Sequence, residues 1–243
     1  MAIEPLIAAL LFAIIFLFGG RLYVTSSPRA ALSLGAGVST AYVFVHMLPE
    51  LNEASSAFVA ATTHMGLPTP ELRVYVSALL GFLTFYGLEN LVAWSREQAP
   101  QGGAERKSPR AVVFLHIGGF ALYAWLVSYL MVRGITEKPL PITLYAVAMG
   151  FHFLGIDHSL LREHGAAYLR VGRFILAGAV LAGWALAMLM EISKPVVITG
   201  LGLVSGGVVM NSMIMELPSE KDGSFWPFVV GAAGYTVLLV LVR

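Results

Sequence analysis

Eight stretches of about twenty nearly uncharged residues follow one another along this chain, with short connections between them. They cover 3–23, 30–51, 71–94, 110–132, 140–161, 168–190, 195–217 and 225–242. A helix that crosses the hydrocarbon of a bilayer needs roughly 20 apolar residues. In lipid each backbone polar group must be satisfied within the structure, which a helix does segment by segment. The sequence therefore predicts an all-α integral membrane protein, an eight-helix bundle forming one domain over residues 1–243. Composition agrees, since 12% of the residues are charged where a soluble domain carries about 25%. That excludes a disordered chain and almost any water-soluble enzyme, and a net charge of +1 gives no reason to expect a nucleic-acid partner. There is no cysteine, hence no disulfide and no thiolate metal site.

The two longest connections are 52–70 and 95–109. The first is rich in Ala, Ser and Thr and is expected to be a loop or a short helix on the membrane surface. The second mixes charge with Gly and Pro and reads as a flexible loop. The N-terminus lacks a basic region and an A-x-A site and carries Glu4, so it is expected to be the first span and not a cleaved signal. With both termini outside, ten of the 15 Lys and Arg residues fall on the inner side. Positive charge collects on the cytoplasmic side, so the expected location is the plasma (inner) membrane, multi-pass, with both ends outside.

Ionisable groups at membrane depth are costly and mark interiors or pathways. In the second span Ser39, Tyr42, His46, Glu50 and Glu53 recur at steps of three and four and so share one helical face. His46 and Glu50 are close enough to bind one metal ion near the outer surface. The same pair serves equally well as a hydrogen bond within the bundle. Pro49 removes a backbone donor and loosens the turn before it. The fourth span brings His116, beside Gly118 and Gly119, which admit a close helix neighbour. The fifth span is densest in polar groups, with His152, Asp157, His158, Glu163 and His164. Asp157 in an apolar run needs a partner, and a cation or a protonated histidine supplies one. His164 and Arg162 read as the inner water interface, and Glu89 as a ligand or, in preference, as a carboxylate paired with Arg96 or Arg110. In the seventh span Asn211, Ser212 and Glu216 are polar. The methionines around them read as packing, not as a copper site.

HMLPE at 46–50 and MELPSE at 215–220 close the second and seventh spans with similar residues. Spans 1–3 and 6–8 would then be an inverted repeat, an arrangement that puts transport sites at the repeat interface.

These segments resemble the ZIP family of divalent-metal transporters. GVSTAYVFVHMLPELNEA is similar to that family's second span, GFLTFYGLENLVAW to its third and SGGVVMNSMIMELPSE to its seventh. The fourth-span pattern His-Asn-x-x-Asp/Glu-Gly is represented here by His116-Ile117-Gly118-Gly119-Phe120-Ala121, which keeps only the histidine. In the fifth span His152 and Asp157 stand at the ends of the family pattern, with Ile156 at the central ligand position. The resemblance implies uptake of zinc, iron or manganese as substrate, with no organic cofactor and no enzymatic activity. His46 and Glu50 would capture the ion outside. His116, His152 and Asp157 would share one cavity near mid-membrane. His158, Glu163 and Glu216 would line the exit, and Asn211, Glu216 or water would complete the coordination. Expected partners are the lipid bilayer, the metal ions and a second copy in a homodimer. Two rival readings stay open. One is a ZIP-like membrane protein with a regulatory or structural role and no transport. The other is a haem protein using two of His46, His116 and His152 as axial ligands.

Overall fold

The computed structural model describes residues 3–25, 28–62, 70–98, 108–133, 141–212 and 224–242. Helices account for almost all of them, and no strand occurs among them. They are α1 (Ile3–Thr25), α2 (Pro28–Tyr42), α3 (Leu48–Thr62), α4 (Pro70–Glu97), α5 (Arg110–Val132), α6 (Ile142–His164), α7 (Arg173–Leu189), α8 (Lys194–Asn211) and α9 (Phe225–Val242). Eight helical segments are long and apolar enough to cross a membrane, so the chain is a multi-pass membrane protein. Its outward faces carry large apolar side chains, such as Leu79, Leu80 and Leu83 of α4 and Val237, Leu238 and Leu241 of α9, as lipid contact requires.

The second span does not end near residue 51. It runs without a break from Ala30 to Thr62, so much of the connection expected over 52–70 is helix. Pro49 is absorbed by a π-helical turn, Val43–Met47, in which the Leu48 N–H donates to the Val43 carbonyl five residues back. The wider turn takes up the register shift that the missing proline N–H would otherwise force. Beyond it the Ala-rich sequence favours helix, and Leu51, Ala54, Phe58 and Thr62 bury one face against α4 and α8. Ser55 donates to the Glu71 carbonyl at the start of α4 at 2.7 Å. His46 lies nine residues before that level, about 13 Å at 1.5 Å per residue. The sequence reading, which ends the helix near 51, puts His46 within about 8 Å of the outer surface by the same rise; the longer helix carries it deeper.

Two helix pairs are in backbone contact through glycine. On α2 and α9, a Cβ at Gly37 would meet the Phe228 carbonyl and the Ala232 amide nitrogen, and one at Gly231 would meet the Leu34 carbonyl. On α8 and α4, a Cβ at Gly206 would meet the Ala78 carbonyl and the Phe82 amide nitrogen, and one at Gly81 would meet the Leu203 carbonyl. Small residues allow this approach where packing, not hydrophobic exclusion, drives association in lipid. α5 packs on α7, with Gly183 against Trp125, and α1 packs on α6 and α7.

α6 reaches three residues further than the sequence suggests and stops at Gly165, whose φ of +47° favours glycine. Its N–H caps the Leu161 carbonyl at 2.9 Å. This stop puts Glu163 and His164 on the last turn of α6.

Candidate metal centre

Three helices deliver side chains to one point near the end of α4, the start of α5 and the end of α6. Glu89 comes from α4, His116 from α5, and Glu163 and His164 from α6. His116 is fully buried and His164 is buried. The Nε2 of His116 lies 3.0 Å from Glu89 Oε1, and its Nδ1 lies 2.8 Å from His164 Nε2. With the proton on Nε2, His116 donates to Glu89 and accepts from His164. Glu163 Oε2 stands 3.5 Å from His116 Nδ1 and is buried without a hydrogen-bond donor among the described residues. The Arg96 guanidinium donates to the Glu163 backbone carbonyl at 2.5 Å, which ties the end of α4 to the end of α6.

Among the described residues, His116, Glu163 and His164 are the one set of three or more His, Cys, Asp or Glu residues whose ligand atoms all lie within 4.8 Å of one another. Ligands about 2.1 Å from a tetrahedral ion are about 3.4 Å apart, which matches the separation of Glu163 Oε2 from His116 Nδ1. The donor set, two imidazoles and a carboxylate, suits borderline divalent ions. Three protein ligands leave a fourth position for water, as at sites that exchange what they bind. Glu89 takes the far nitrogen of His116, the carboxylate that commonly orients a ligating histidine. Ionised together with a metal bound between them, Glu89 and Glu163 would supply two negative charges, enough to neutralise a divalent ion.

The expected grouping of His116, His152 and Asp157 is not the one that forms. His152 is fully buried, and its Nε2 lies 2.8 Å from the Tyr123 hydroxyl. Asp157 accepts a very short hydrogen bond from Tyr168. Its other oxygen faces Gly19 of α1 and has no hydrogen-bond partner. Tyr168 reaches Asp157 from a second π-helical turn, Tyr168–Gly172, at the start of the sixth span. The hydrogen-bond donor that this buried Asp finds is a phenol, with the charge of Arg173 acting on it as well. Replacing Tyr168 with Phe leaves both Asp157 oxygens without a donor, and an unmade buried hydrogen bond costs about 1–3 kcal/mol. We expect a lower melting temperature in detergent and unchanged zinc binding at the His116 cluster; an unchanged melt would mean that Asp157 is not held by this bond.

The remaining residues sit elsewhere. His46 Nε2 is 3.5 Å from Glu50 Oε2, and Glu50 lines a pocket of about 1210 Å³ at the opposite end of the bundle from the His116 cluster. Glu53, Tyr129, Arg133, Glu191 and Lys194 also line it. His158 is half-buried. Asn211 is fully buried, and neither amide atom has a hydrogen-bond partner among the described residues. Glu216 lies outside the described residues.

Two members of the cluster have partners other than those that the sequence reading preferred. Glu89 bonds to His116, not to Arg96 or Arg110, because Arg96 is used on the α6 carbonyl. His164, placed by sequence at the water interface, is covered by α5. The one local signal is the run Arg162-Glu163-His164-Gly165, a helix end carrying ligand side chains.

The sequence matches no protein-family model and no curated protein. The chemistry of the site therefore rests on the residues themselves.

Proposed function

We propose that this protein moves a divalent metal ion, zinc, iron or manganese, across a membrane, as the resemblance to ZIP transporters implies. One observation carries the reading: the Glu163 carboxylate oxygen is buried without a donor, at coordination spacing from two buried imidazoles. Arg96 and Arg162 lie near this carboxylate without bonding to that oxygen, which leaves the position open to a metal ion.

The glycine contacts support an inverted repeat of spans 1–3 and 6–8. Positions 34 and 37 have the spacing of 203 and 206, and 228, 231 and 232 have the spacing of 78, 81 and 82, and equivalent atoms meet at each. Exchanging α2 with α8 and α9 with α4 maps one pair onto the other. π-helical geometry begins at Val43 and again at Ser212, each five residues before a Leu-Pro pair. With the N-terminus outside, alternation of the spans turns the pocket at Glu50 outward and the His116 cluster inward. The ion would enter past Glu50 and His46 and leave from His116, Glu163 and His164.

A second reading, a ZIP-like protein that does not transport, gains support from His152 and Asp157. Both are already engaged by tyrosine hydroxyls.

The test is zinc and manganese titration into metal-stripped protein in detergent, followed by flux into proteoliposomes loaded with a metal-sensitive dye. We expect one ion per chain and measurable flux. Binding without flux favours the second reading. No binding refutes the His116 site.

A further inference from the structure

The pocket at Glu50 is several times larger than a metal ion requires. Its volume is about 1210 Å³. A hydrated divalent ion takes up roughly 200 Å³, at about 30 Å³ per water. Sites for organic molecules run to about 300–1,000 Å³, so the cavity has room for one.

The lining separates charge by element. α3 contributes Glu50 and, one turn on, Glu53. The end of α5 contributes Arg133, and the start of α8 contributes Lys194. Among the described residues no ion pair joins the two sets. The Glu50 carboxylate lies 3.5 Å from His46 instead, and Arg133 pairs with Glu191. Opposite charges that line one cavity without pairing with each other leave a place for a molecule that carries both signs. A bare divalent ion is repelled by Arg133 and Lys194, whereas an anionic group is drawn to them. Much of the remaining lining is aliphatic, with Ala57, Val132, Val197 and Ile198.

The cationic side is fixed in place. Arg133 Nε donates to the Ala187 carbonyl at 2.7 Å, and Nη1 donates to Glu191 at 2.5 Å. Two guanidinium N–H groups are thereby used and the others remain for a ligand. Beside it the Tyr129 hydroxyl accepts the Ile192 N–H at 3.0 Å and donates to the Met190 carbonyl at 3.3 Å. These bonds pin the connection between α7 and α8 to the end of α5, and a wall that is already ordered costs less to order on binding. On the other side the Glu50 side chain is only 13% exposed, where less water screens its charge than at the surface.

We infer that this pocket binds an organic zwitterion, with its ammonium end toward Glu50 and Glu53, its carboxylate or phosphate end toward Arg133 and Lys194, and its apolar part on the aliphatic lining. Such a molecule is either a free amino acid or the head of a zwitterionic lipid. The site stands whether or not the His116 cluster holds a metal.

The test is titration calorimetry on metal-stripped protein in a maltoside detergent, which carries no charge that competes. The probes are L-leucine, phosphoethanolamine, and two analogues of leucine that keep one charged end, isocaproate and isoamylamine. We expect one zwitterion per chain, with both analogues at least tenfold weaker than leucine. Preference for leucine assigns a free amino acid, and preference for phosphoethanolamine assigns a lipid head; either supports the site. Glu53→Gln and Lys194→Gln exchange exposed side chains for neutral ones of similar size, and each should weaken the preferred zwitterion at least threefold. Glu50→Gln should weaken it at least tenfold. Gel filtration and a thermal melt confirm that each variant is folded. Absence of binding by both zwitterions overturns the site. So do analogues that bind as well as leucine, or affinity unchanged in all three folded variants. Failure of the metal reading shows separately, as absence of zinc binding in the titration above.

Discussion

His116→Ala should lower zinc affinity at least hundredfold. The substitution deletes one of three ligands and also the nitrogen that Glu89 orients. Loss of an orienting partner alone costs about 10–100-fold at metal sites, so loss of a ligand sets a higher floor. The folded protein should also weaken, because Glu89 loses its partner and two carboxylates are left near each other. Glu89→Gln should retain a hydrogen bond to His116 and fall within the smaller range. His152→Ala should leave zinc affinity in detergent unchanged, because its Nε2 is engaged by Tyr123 and not by the cluster. Titration calorimetry on the three variants separates the possibilities. If His152→Ala removes binding and His116→Ala does not, the ion sits in mid-membrane and the cluster is only a set of buried hydrogen bonds.

The second large effect concerns the glycine contacts. Gly206→Ala puts a methyl group against the Ala78 carbonyl and within 2.7 Å of the Phe82 amide nitrogen. Gly37→Ala does the same against Phe228 and within 2.8 Å of the Ala232 amide nitrogen. Backbone atoms of a packed helix cannot turn aside as a side chain can, so each helix pair must part. Overpacking of a core costs about 1–3 kcal/mol and more where nothing yields; both variants should lie at or above that range. If the proposed repeat holds, the two are mates and should lose thermal stability by similar amounts. Gly87→Ala is the control, since nothing lies within 4 Å of a Cβ there and alanine is the better helix former. A melt of Gly206→Ala that matches the parent would disprove the close approach of α4 and α8. A severe effect at one glycine and none at its mate would count against the repeat.

The spans were legible because lipid imposes length and composition locally. Each segment must be long enough and apolar enough by itself, whatever its neighbours do. The polar face of Tyr42, His46 and Glu50 was legible for a similar reason, since helical periodicity decides which residues share a face. Where the second span ends was not legible. The apolar run gives out near 51, yet a π-helical turn and the burial of Leu51, Ala54 and Phe58 on neighbouring helices carry the helix on to Thr62.

Which polar groups meet was decided by tertiary structure alone. His116 finds Glu89 27 residues before it and His164 48 residues after it. Periodicity gives the direction of a side chain around its own axis but neither the neighbour that lies in that direction nor its depth. Asp157 could have been answered by a histidine, a cation or a hydroxyl; the π-helical turn that carries Tyr168 settled on the hydroxyl. The sequence by itself determined an eight-span helical membrane protein, and which helix ends abut, through glycine contacts and the stop at Gly165, determined that His116, Glu163 and His164 converge. Partners chosen by packing between distant segments depend on the whole bundle, and no local stretch of residues encodes that choice.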